Sequence, residues 1–398
     1  MSAAALPAQR PLRIALLAHS TNPRGGVVHA LEVGDALHAL GQDVTVLAPD
    51  ASGGGLFRQP RCRFIGIPAR PRPAGLVALV QQTIEDYVAW FEQPGAPRFD
   101  IYHAQDSISA NALAILQERG AIPGFVRTVH HLDHFDDARL QAWQIAGFRK
   151  AARVLCVSSL WQETLRHEHG IDSALVSNGV DTARYTRRAE ERDVLLRERL
   201  RLGAGPVFLA VGGIEPRKNT IGILRAFMLV RAAVPQAQLI IAGGVSLLDH
   251  GVYGKEFASL AREAGLAQGV GQPLQVLGRI DDADMPSLFR LATALVFPSL
   301  REGFGLVVLE AMASGTPVVV SRVAPFTDYL PEAACAWADP GDPESIANAM
   351  RDACDAQEAA RLRAAGTAVC SQYSWRGSAL RQLDLYRSHL NLIGAPHA

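Results

Sequence analysis

The chain has 398 residues, which is more than one hydrophobic core usually supports, so we expect two compact domains. Its 48% hydrophobic and 20% charged residues are ordinary for a globular protein and exclude a disordered or collagen-like chain. The 39 basic and 39 acidic residues cancel, so the overall charge does not indicate binding to nucleic acid, and any anion site must be local.

The cysteines and the apolar runs indicate whether the protein is disulfide-bonded, zinc-binding, secreted or membrane-spanning. Five cysteines without a C-x-x-C pair predict neither a zinc site nor a disulfide framework, and they favour a cytoplasmic protein. Residues 1–11 lack a continuous apolar core and are interpreted as a loose tail rather than a signal peptide. No apolar run reaches the roughly twenty residues that a membrane-spanning helix needs; peripheral contact with a membrane stays open.

Short runs rich in Val, Ile and Leu alternate with helical-period segments, a pattern typical of buried parallel strands joined by helices in an α/β fold. The strands predicted in the first half are 12–19, 43–49, 63–67, 101–104, 126–130, 154–157 and 174–176. Between them, residues 75–91 carry one apolar helical stripe and an acidic polar side. We expect this helix to be packed or exposed rather than docked on an anionic membrane.

A charged stretch over 184–201 is interpreted as a linker that contains a helix, and a second strand series follows it. Its predicted strands are 207–211, 238–242, 274–277, 294–297, 317–320 and 335–338, and an apolar helical pattern over 378–392 closes the chain. We therefore expect Rossmann-like domains over 1–190 and 191–376, with parallel sheets facing across a central cleft. The C-terminal helix, 377–398, is expected to pack back near the N-terminal domain.

Two glycine pairs follow predicted strands. Gly25 and Gly26 precede a helix, where backbone N–H groups favour a phosphate, although a plain tight turn explains the pair equally well. Gly213 opens a second such turn that continues into Arg217 and Lys218, which could balance a diphosphate or form a solvated basic corner. Only three of the 39 basic residues are lysines, which slightly favours a specific role for Lys218.

The most specific segment is residues 299–317. Glu302 lies in a loop with two glycines, and a helix is predicted from about residue 306 to 314 with Glu310 among apolar residues. Two carboxylates beside a phosphate-binding helix start are electrostatically unusual unless each meets hydroxyl donors, which a sugar and a ribose supply. The amides of Phe304, Gly305 and Leu306 are expected to point at phosphate.

Together these motifs resemble glycosyltransferase family 4, retaining enzymes of the GT-B fold. The resemblance is carried by Glu302-x7-Glu310, the turn 213–218, Gly25-Gly26, the segment 128–130 and Asn-Gly-Val-Asp at 178–181, in the family's order. It implies a nucleotide-sugar donor and a hydroxyl-bearing acceptor. The donor would be held mainly by the C-terminal domain, and the N-terminal domain would lie on the acceptor side. No metal ion and no other cofactor are expected.

The resemblance also implies residue roles. Arg217 and Lys218 would meet the diphosphate, Glu310 the ribose, and the backbone around Arg279 and Ile280 the base edge. Glu302 and the amides of residues 304–306 would hold the sugar and phosphates, and Gly26 would approach the phosphates on domain closure.

His130 would be the active-site histidine, near the reacting sugar. Its loop, 130–137, is unusually rich in His and Asp, so a metal site that pairs His130 with His134 on one helical face is a minor alternative. Gln105, Asp106 and Asp133 are candidates for the acceptor side.

We therefore predict a retaining glycosyltransferase that moves a sugar from a nucleoside diphosphate to a hydroxyl group. Two alternatives stay open. A sugar-nucleotide epimerase would consume the donor without an acceptor, and a non-catalytic nucleotide-sugar binding module would bind the donor without turnover. An NAD oxidoreductase is disfavoured because neither glycine turn has the G-x-G-x-x-G spacing.

Overall fold

A computed structural model describes residues 10–244 and 251–392, and they form two compact units. The first unit comprises residues 10–157, 161–176 and 375–392, and the second comprises 158–160 and the described part of 177–374. Within the described ranges, no helix combines the length and the apolar character needed to cross a membrane.

The first unit is built on a seven-stranded parallel sheet in the order β3-β2-β1-β4-β5-β6-β7. Its strands are β1 (Arg13–Leu17), β2 (Asp43–Pro49), β3 (Arg63–Ile67), β4 (Ile101–Ala104), β5 (Val126–Val129), β6 (Arg153–Cys156) and β7 (Ser173–Leu175). The interior strand β1 pairs Ile14 with Val44 on one side and with Ile101 on the other. Its residues from Ile14 to Leu17 are fully buried, as expected for a strand covered by helices on both faces.

The second unit is built on a six-stranded parallel sheet in the order β10-β9-β8-β11-β12-β13. Its strands are β8 (Val207–Val211), β9 (Gln238–Ala242), β10 (Leu274–Gly278), β11 (Ala294–Phe297), β12 (Val318–Ser321) and β13 (Ala336–Ala338). The strand order reverses direction along the sheet between β8 and β11, and between β1 and β4 in the first unit. Open parallel sheets bind ligands at the carboxyl ends of the strands at such a point.

Fourteen α-helices surround the two sheets in the described residues. In chain order they are α1 (Gly25–Ala39), α2 (Leu76–Phe91), α3 (Ser107–Glu118), α4 (Ala138–Arg149), α5 (Ser159–His169), α6 (Glu191–Leu200), α7 (Thr220–Ala233), α8 (Gly251–Glu263), α9 (Met285–Leu291), α10 (Leu306–Ala313), α11 (Phe326–Tyr329), α12 (Pro343–Asp352), α13 (Ala356–Gln372) and α14 (Trp375–Leu392). The last helix packs on α1, within the first unit.

The prediction of an α/β fold with two Rossmann-like parallel sheets is confirmed. Several predicted strand bounds, including 43–49 and 207–211, agree with the structure residue for residue. The first predicted strand, 12–19, is longer than β1, whose pairing with both neighbours ends at Leu17.

The charged stretch 184–201 is packed into the second unit and is not a free linker. Helix α6 occupies most of it, and Asp193 at its start accepts hydrogen bonds from the buried guanidinium of Arg290 at 2.7 and 2.8 Å. Arg184 donates to the Asp282 carboxylate at 2.7 Å. The division between the units therefore falls at residues 176–177, and the predicted boundary at residue 190 lies inside the second unit.

Candidate active site

The candidate site in the second unit lies where the sheet order reverses. Strand β8 ends at Val211 and leads through Gly212 and Gly213 to a short 3₁₀ turn, Pro216–Lys218. The neighbouring strand β11 ends at Phe297 and leads to the loop that carries Glu302. Because parallel strands end at the same edge of a sheet, residues 84 positions apart in the chain meet there.

Four charged side chains form one ion-paired cluster at this edge, which we call the quartet: Glu215, Arg217, Lys218 and Glu302. Glu302 Oε1 accepts hydrogen bonds from Lys218 Nζ at 2.6 Å and from Arg217 Nη1 at 2.9 Å. On its other side, Arg217 Nη2 lies 2.9 Å from Glu215 Oε1. Two cations and two carboxylates leave the quartet without net charge. The alternative of a solvated basic corner is therefore wrong, since the quartet's own carboxylates already pair the cations.

Burial and ion pairing have opposite effects on the pKa values of Lys218 and Glu302: burial favours the neutral forms, and pairing favours the charged forms. Burial lowers the pKa of Lys218, and the attraction of Glu302 offsets only part of this effect. Burial also works to raise the pKa of Glu302, but the charges of Lys218 and Arg217 outweigh it and hold that pKa below its usual range. The ammonium of Lys218 also lies 4.2 Å from the centre of the Phe297 ring, a cation–π contact. Lys218 is thus held in place by two partners before any ligand arrives.

Glycines around the quartet are required by the backbone. Gly213 has φ +80°, and a Cβ there would lie 2.8 Å from the carbonyl oxygen of Gly244. Gly212 has φ +128°, and a Cβ there would lie 2.7 Å from Cε of Lys218. Any other residue would push the chain or the lysine away, so these glycines set the position of the ammonium.

The loop after β11 leads into α10 through a third glycine with positive φ. Gly305 has φ +93°, and a Cβ there would lie 2.6 Å from the buried ring of Phe326. The ring of Phe304 stacks on Tyr329 at 4.5 Å, and the Tyr329 hydroxyl donates to the Phe304 carbonyl at 3.0 Å. Leu306 is the first residue of α10, so the amides of 304–306 lie at the start of that helix, as predicted.

Glu310 lies half-buried on α10 and interacts electrostatically with Tyr185 and Arg184, which the sequence did not indicate as site residues. Its charge raises the pKa of Tyr185, although burial is the larger cause, and it also acts on Arg184. Arg279 and Ile280 directly follow β10; Arg279 is exposed, and its Cβ faces Gly244.

In the first unit, Gly25 and Gly26 are the first two residues of α1 and do not form a turn before it. A Cβ at Gly25 would meet no atom within 4 Å, whereas a Cβ at Gly26 would lie 3.2 Å from Cδ2 of His130. A side chain at Gly26 would therefore crowd His130, whose ring would have to shift by a few tenths of an ångström, whereas one at Gly25 would not.

His130 follows β5 and contacts Gln105, which follows β4. Its Nε2 lies 3.0 Å from Gln105 Oε1, so that nitrogen carries the proton when the amide oxygen accepts. Burial, and then the charges of His29, Arg127 and other neighbours, lower the pKa of His130 well below its ordinary value. His130 is therefore a neutral imidazole near pH 7.

The remaining acceptor-side candidates have local partners. Asp106 caps α3 by accepting from the Ser109 amide at 2.8 Å, and His19 Nδ1 lies 3.6 Å from its carboxylate. Burial works to raise the pKa of Asp106, but hydrogen bonding and charge from His19 and the Ser109 amide lower it overall. Asp133 pairs with His131 at 3.1 Å. The structure brings Gln105 to His130 but turns Asp106 and Asp133 to other neighbours.

The His- and Asp-rich loop 130–137 is not helical, so His130 and His134 do not share a helical face. His134 is exposed, and its nearest acid is Asp136 at 3.9 Å. Among residues 10–244 and 251–392, no three His, Cys, Asp or Glu side chains are grouped so that they could hold a metal ion. The geometry assumed for the metal alternative is therefore wrong.

Sequence reasoning missed several buried polar residues around His130. His29 and His103 are fully buried, and Arg127 is nearly so, with its pKa lowered by burial to about 10. His103 and Arg127 could have been found from the sequence, because a histidine and an arginine are unusual in predicted buried strands, whose side chains should be apolar. In the second unit, Glu215 was missed because it precedes the cations without a recognisable motif.

Two family models match successive parts of the chain. The model described as Glycosyltransferase Family 4 matches residues 23–184, and the model described as Glycosyl transferases group 1 matches residues 194–368.

Curated relatives carry glycosyltransferase names. O-antigen chain mannosyltransferase B of Escherichia coli is 31% identical over 180 residues, which is 45% of each chain. D-inositol 3-phosphate glycosyltransferase of Salinispora tropica is 29% identical over 73% of this chain and 64% of its own length. The matches to these two relatives thus span less than two thirds of the relatives' length. The enzyme of the same name from Streptomyces scabiei is 26% identical over 96% of this chain and 92% of its own.

Solved structures share the fold. Sucrose-phosphate synthase from Thermosynechococcus elongatus superposes with a TM-score of 0.74 at 24% identity, covering 96% of this chain and 99% of its own. Anabaena HepE, solved in complex with UDP-glucose, has a TM-score of 0.77 at 20% identity, with 95% and 100% covered.

Proposed function

The chain belongs to glycosyltransferase family 4, and from this premise we propose that it transfers a sugar from a nucleoside diphosphate to a hydroxyl acceptor with retention of anomeric configuration. The observation that carries the proposal is the quartet, which holds a lysine and an arginine side by side at a glycine turn where the sheet order reverses. Such a turn is where parallel sheets bind phosphate-bearing ligands.

In this proposal the quartet stabilises the departing diphosphate. Negative charge grows on the leaving phosphate as the bond to the sugar breaks, and cations fixed beforehand stabilise that charge without having to reorganise. Lys218 and Arg217 are fixed in this way by Glu302. The amides at the start of α10 would add uncharged donors, and the leaving phosphate itself could take the acceptor's proton. The mechanism then needs neither a protein base nor a metal ion.

The other site residues complete the donor contacts. Glu310 would accept from the ribose hydroxyls, and the backbone at Arg279 and Ile280 would meet the base. Glu302 would exchange part of its pairing with the cations for a sugar hydroxyl.

His130, held by Gln105 through Nε2, would contact the transferred sugar as a neutral group whose Nδ1 accepts a hydrogen bond from a sugar hydroxyl without adding charge. Gly26 would let the start of α1 come close to the donor. A cytoplasmic location fits the proposal, since none of the five cysteines is paired.

The test begins with the donor and continues with the acceptor. Thermal shifts against a panel of nucleoside diphosphate sugars that includes UDP-glucose identify the donor, because at equal concentration a tighter ligand raises the melting temperature more. The donor is then incubated with hydroxyl acceptors that include an inositol phosphate, the substrate in the name of the Salinispora tropica and Streptomyces scabiei relatives. We expect a glycosylated acceptor and free nucleoside diphosphate. Conversion of the donor to another sugar nucleotide without acceptor would identify an epimerase, and binding without turnover would identify a binding module.

Lys218 supplies the matched comparison within this test. Lys218→Met should lower turnover at least about a hundredfold, because one cation of the leaving-group site is lost. Lys255→Met, which removes one of the two other lysines from the exposed surface of α8, should leave turnover unchanged. Equal turnover in the two variants would refute the role of the quartet.

A further inference from the structure

Helix α14 reaches His130 through one intervening ring. Trp375, the first residue of α14, lies edge-to-face against His29, with ring centres 5.5 Å apart and planes at 80°. His29 in turn lies edge-to-face against His130, with centres 4.7 Å apart and planes at 69°. His29 is fully buried, and Trp375 is 7% exposed. The three rings therefore form one packed column inside the first unit.

We infer that Trp375 is a positioning residue for His130 and that it acts through the ring of His29. Edge-to-face rings at these distances attract each other and resist rotation, beyond the effect of burial alone. The contact with Gln105 holds Nε2 of His130 in place, and the packing against His29 restricts rotation of the His130 ring. Without the indole, water would enter beside His29, and the imidazole of His130 would be free to turn.

A second set of contacts holds α14 against β4 and β5, the strands that precede Gln105 and His130. Tyr386 donates its single hydroxyl proton to Gln382 at 3.0 Å, so it accepts from His103 Nδ1 at 2.7 Å. His103 Nε2 is then an acceptor for the hydroxyl of Thr128, also at 2.7 Å, two residues before His130 on the chain. The direction of every bond in this buried chain is thus determined, which holds α14 in register against β4 and β5.

The titratable and charged groups that face His130 come from every element packed around it. They are His29 on α1, His103 on β4, Arg127 on β5 and the adjacent His131. Burial, together with these groups, keeps the pKa of His130 low. Loss of the indole would admit water, which reduces the burial of His130 and screens the charges of its neighbours. The pKa of His130 should therefore rise towards the ordinary histidine value.

The inference rests on the proposed function for its catalytic consequence, so the test has two readouts. The first is kcat and the donor KM across pH for wild type, Trp375→Leu and Trp375→Phe. The second is hydrogen–deuterium exchange at histidine Cε1, measured by mass spectrometry, which reports the titration of His130 without turnover.

We expect Trp375→Leu to lower kcat about tenfold with the donor KM within twofold, and to raise the pKa of His130. Trp375→Phe keeps a ring at the site and should stay within twofold of wild type in kcat.

Leu385→Ala is the control for lost packing, because Leu385 is also buried on α14 but lies about 15 Å along the helix from Trp375. If Trp375→Leu matches Leu385→Ala in both readouts, the inference is wrong. If Trp375→Leu does not fold, His29→Phe and His29→Leu replace it: the first keeps the ring column and should retain kcat, and the second should lose it.

Failure of the proposed function would look different. Absence of transfer in wild type, or unchanged turnover in His130→Leu, which removes both hydrogen-bonding nitrogens, would refute the role of His130 in catalysis. The exchange measurement would still decide whether Trp375 controls the titration of His130.

Discussion

The quartet makes a quantitative prediction for Glu302→Gln. This change keeps the size and shape of the side chain and removes one negative charge, so the net charge of the quartet rises from zero to +1. Two unit charges 4 Å apart interact by about 1 kcal/mol in water and about 4 kcal/mol at the effective dielectric of a protein surface. Binding of a nucleoside diphosphate should therefore gain between these limits, which means at least about fivefold tighter binding.

The assay is calorimetric titration with UDP at low and at high ionic strength. The gain should shrink at high salt, because mobile ions screen the added charge. Sugar transfer by Glu302→Gln should nevertheless fall, since the carboxylate is lost from the donor sugar. Tighter UDP binding together with slower transfer separates the effect of charge from general damage to the site.

Two controls bracket the result. Glu215→Gln removes the other carboxylate of the quartet and should also tighten UDP binding. Glu332→Gln removes an exposed carboxylate that pairs with Arg322 outside the quartet, and it should not change UDP affinity. UDP affinity in Glu302→Gln that is equal to or weaker than that of wild type would refute the assignment of the quartet to the diphosphate.

Three further changes test other parts of the structure. Gly305→Ala places a Cβ against the Phe326 ring at φ +93° and should destabilise the second unit by about 1–3 kcal/mol in chemical denaturation, whereas Gly25→Ala, which meets no atom, should be neutral. Burial lowers the pKa of His389 from 6.5 to about 4, so the unfolded chain takes up this proton at a higher pH than the folded chain. The free energy of unfolding should therefore fall as pH drops from 6.5 towards 4, by up to about 3 kcal/mol. The melting temperature of His389→Gln should lose this part of its pH dependence, and an unchanged pH dependence would contradict the prediction. Glu310→Ala should weaken UDP binding about tenfold or more by calorimetry, and unchanged affinity would exclude the ribose contact.

The sequence alone determined the layers of this protein and the positions of its loops. Runs of Val, Ile and Leu mark buried parallel strands because such strands are covered on both faces, and this signal needs no knowledge of neighbours. The predicted strands 101–104 and 238–242 agree with β4 and β9 for that reason. Glycine turns were visible in the same way, since φ beyond +60° at Gly213 and Gly305 excludes most other residues.

Only the tertiary structure decided which of these loops meet and what charge they carry together. Lys218 and Glu302 lie 84 residues apart, and their pairing depends on β8 and β11 being neighbours, which no local pattern encodes. The sequence predicted that Arg217 and Lys218 either balance a diphosphate or form a solvated basic corner. The fold pairs both cations with carboxylates, because the low dielectric of a buried site makes unpaired charge costly. The same holds for Trp375 and His29, whose rings touch only because α14 packs on α1.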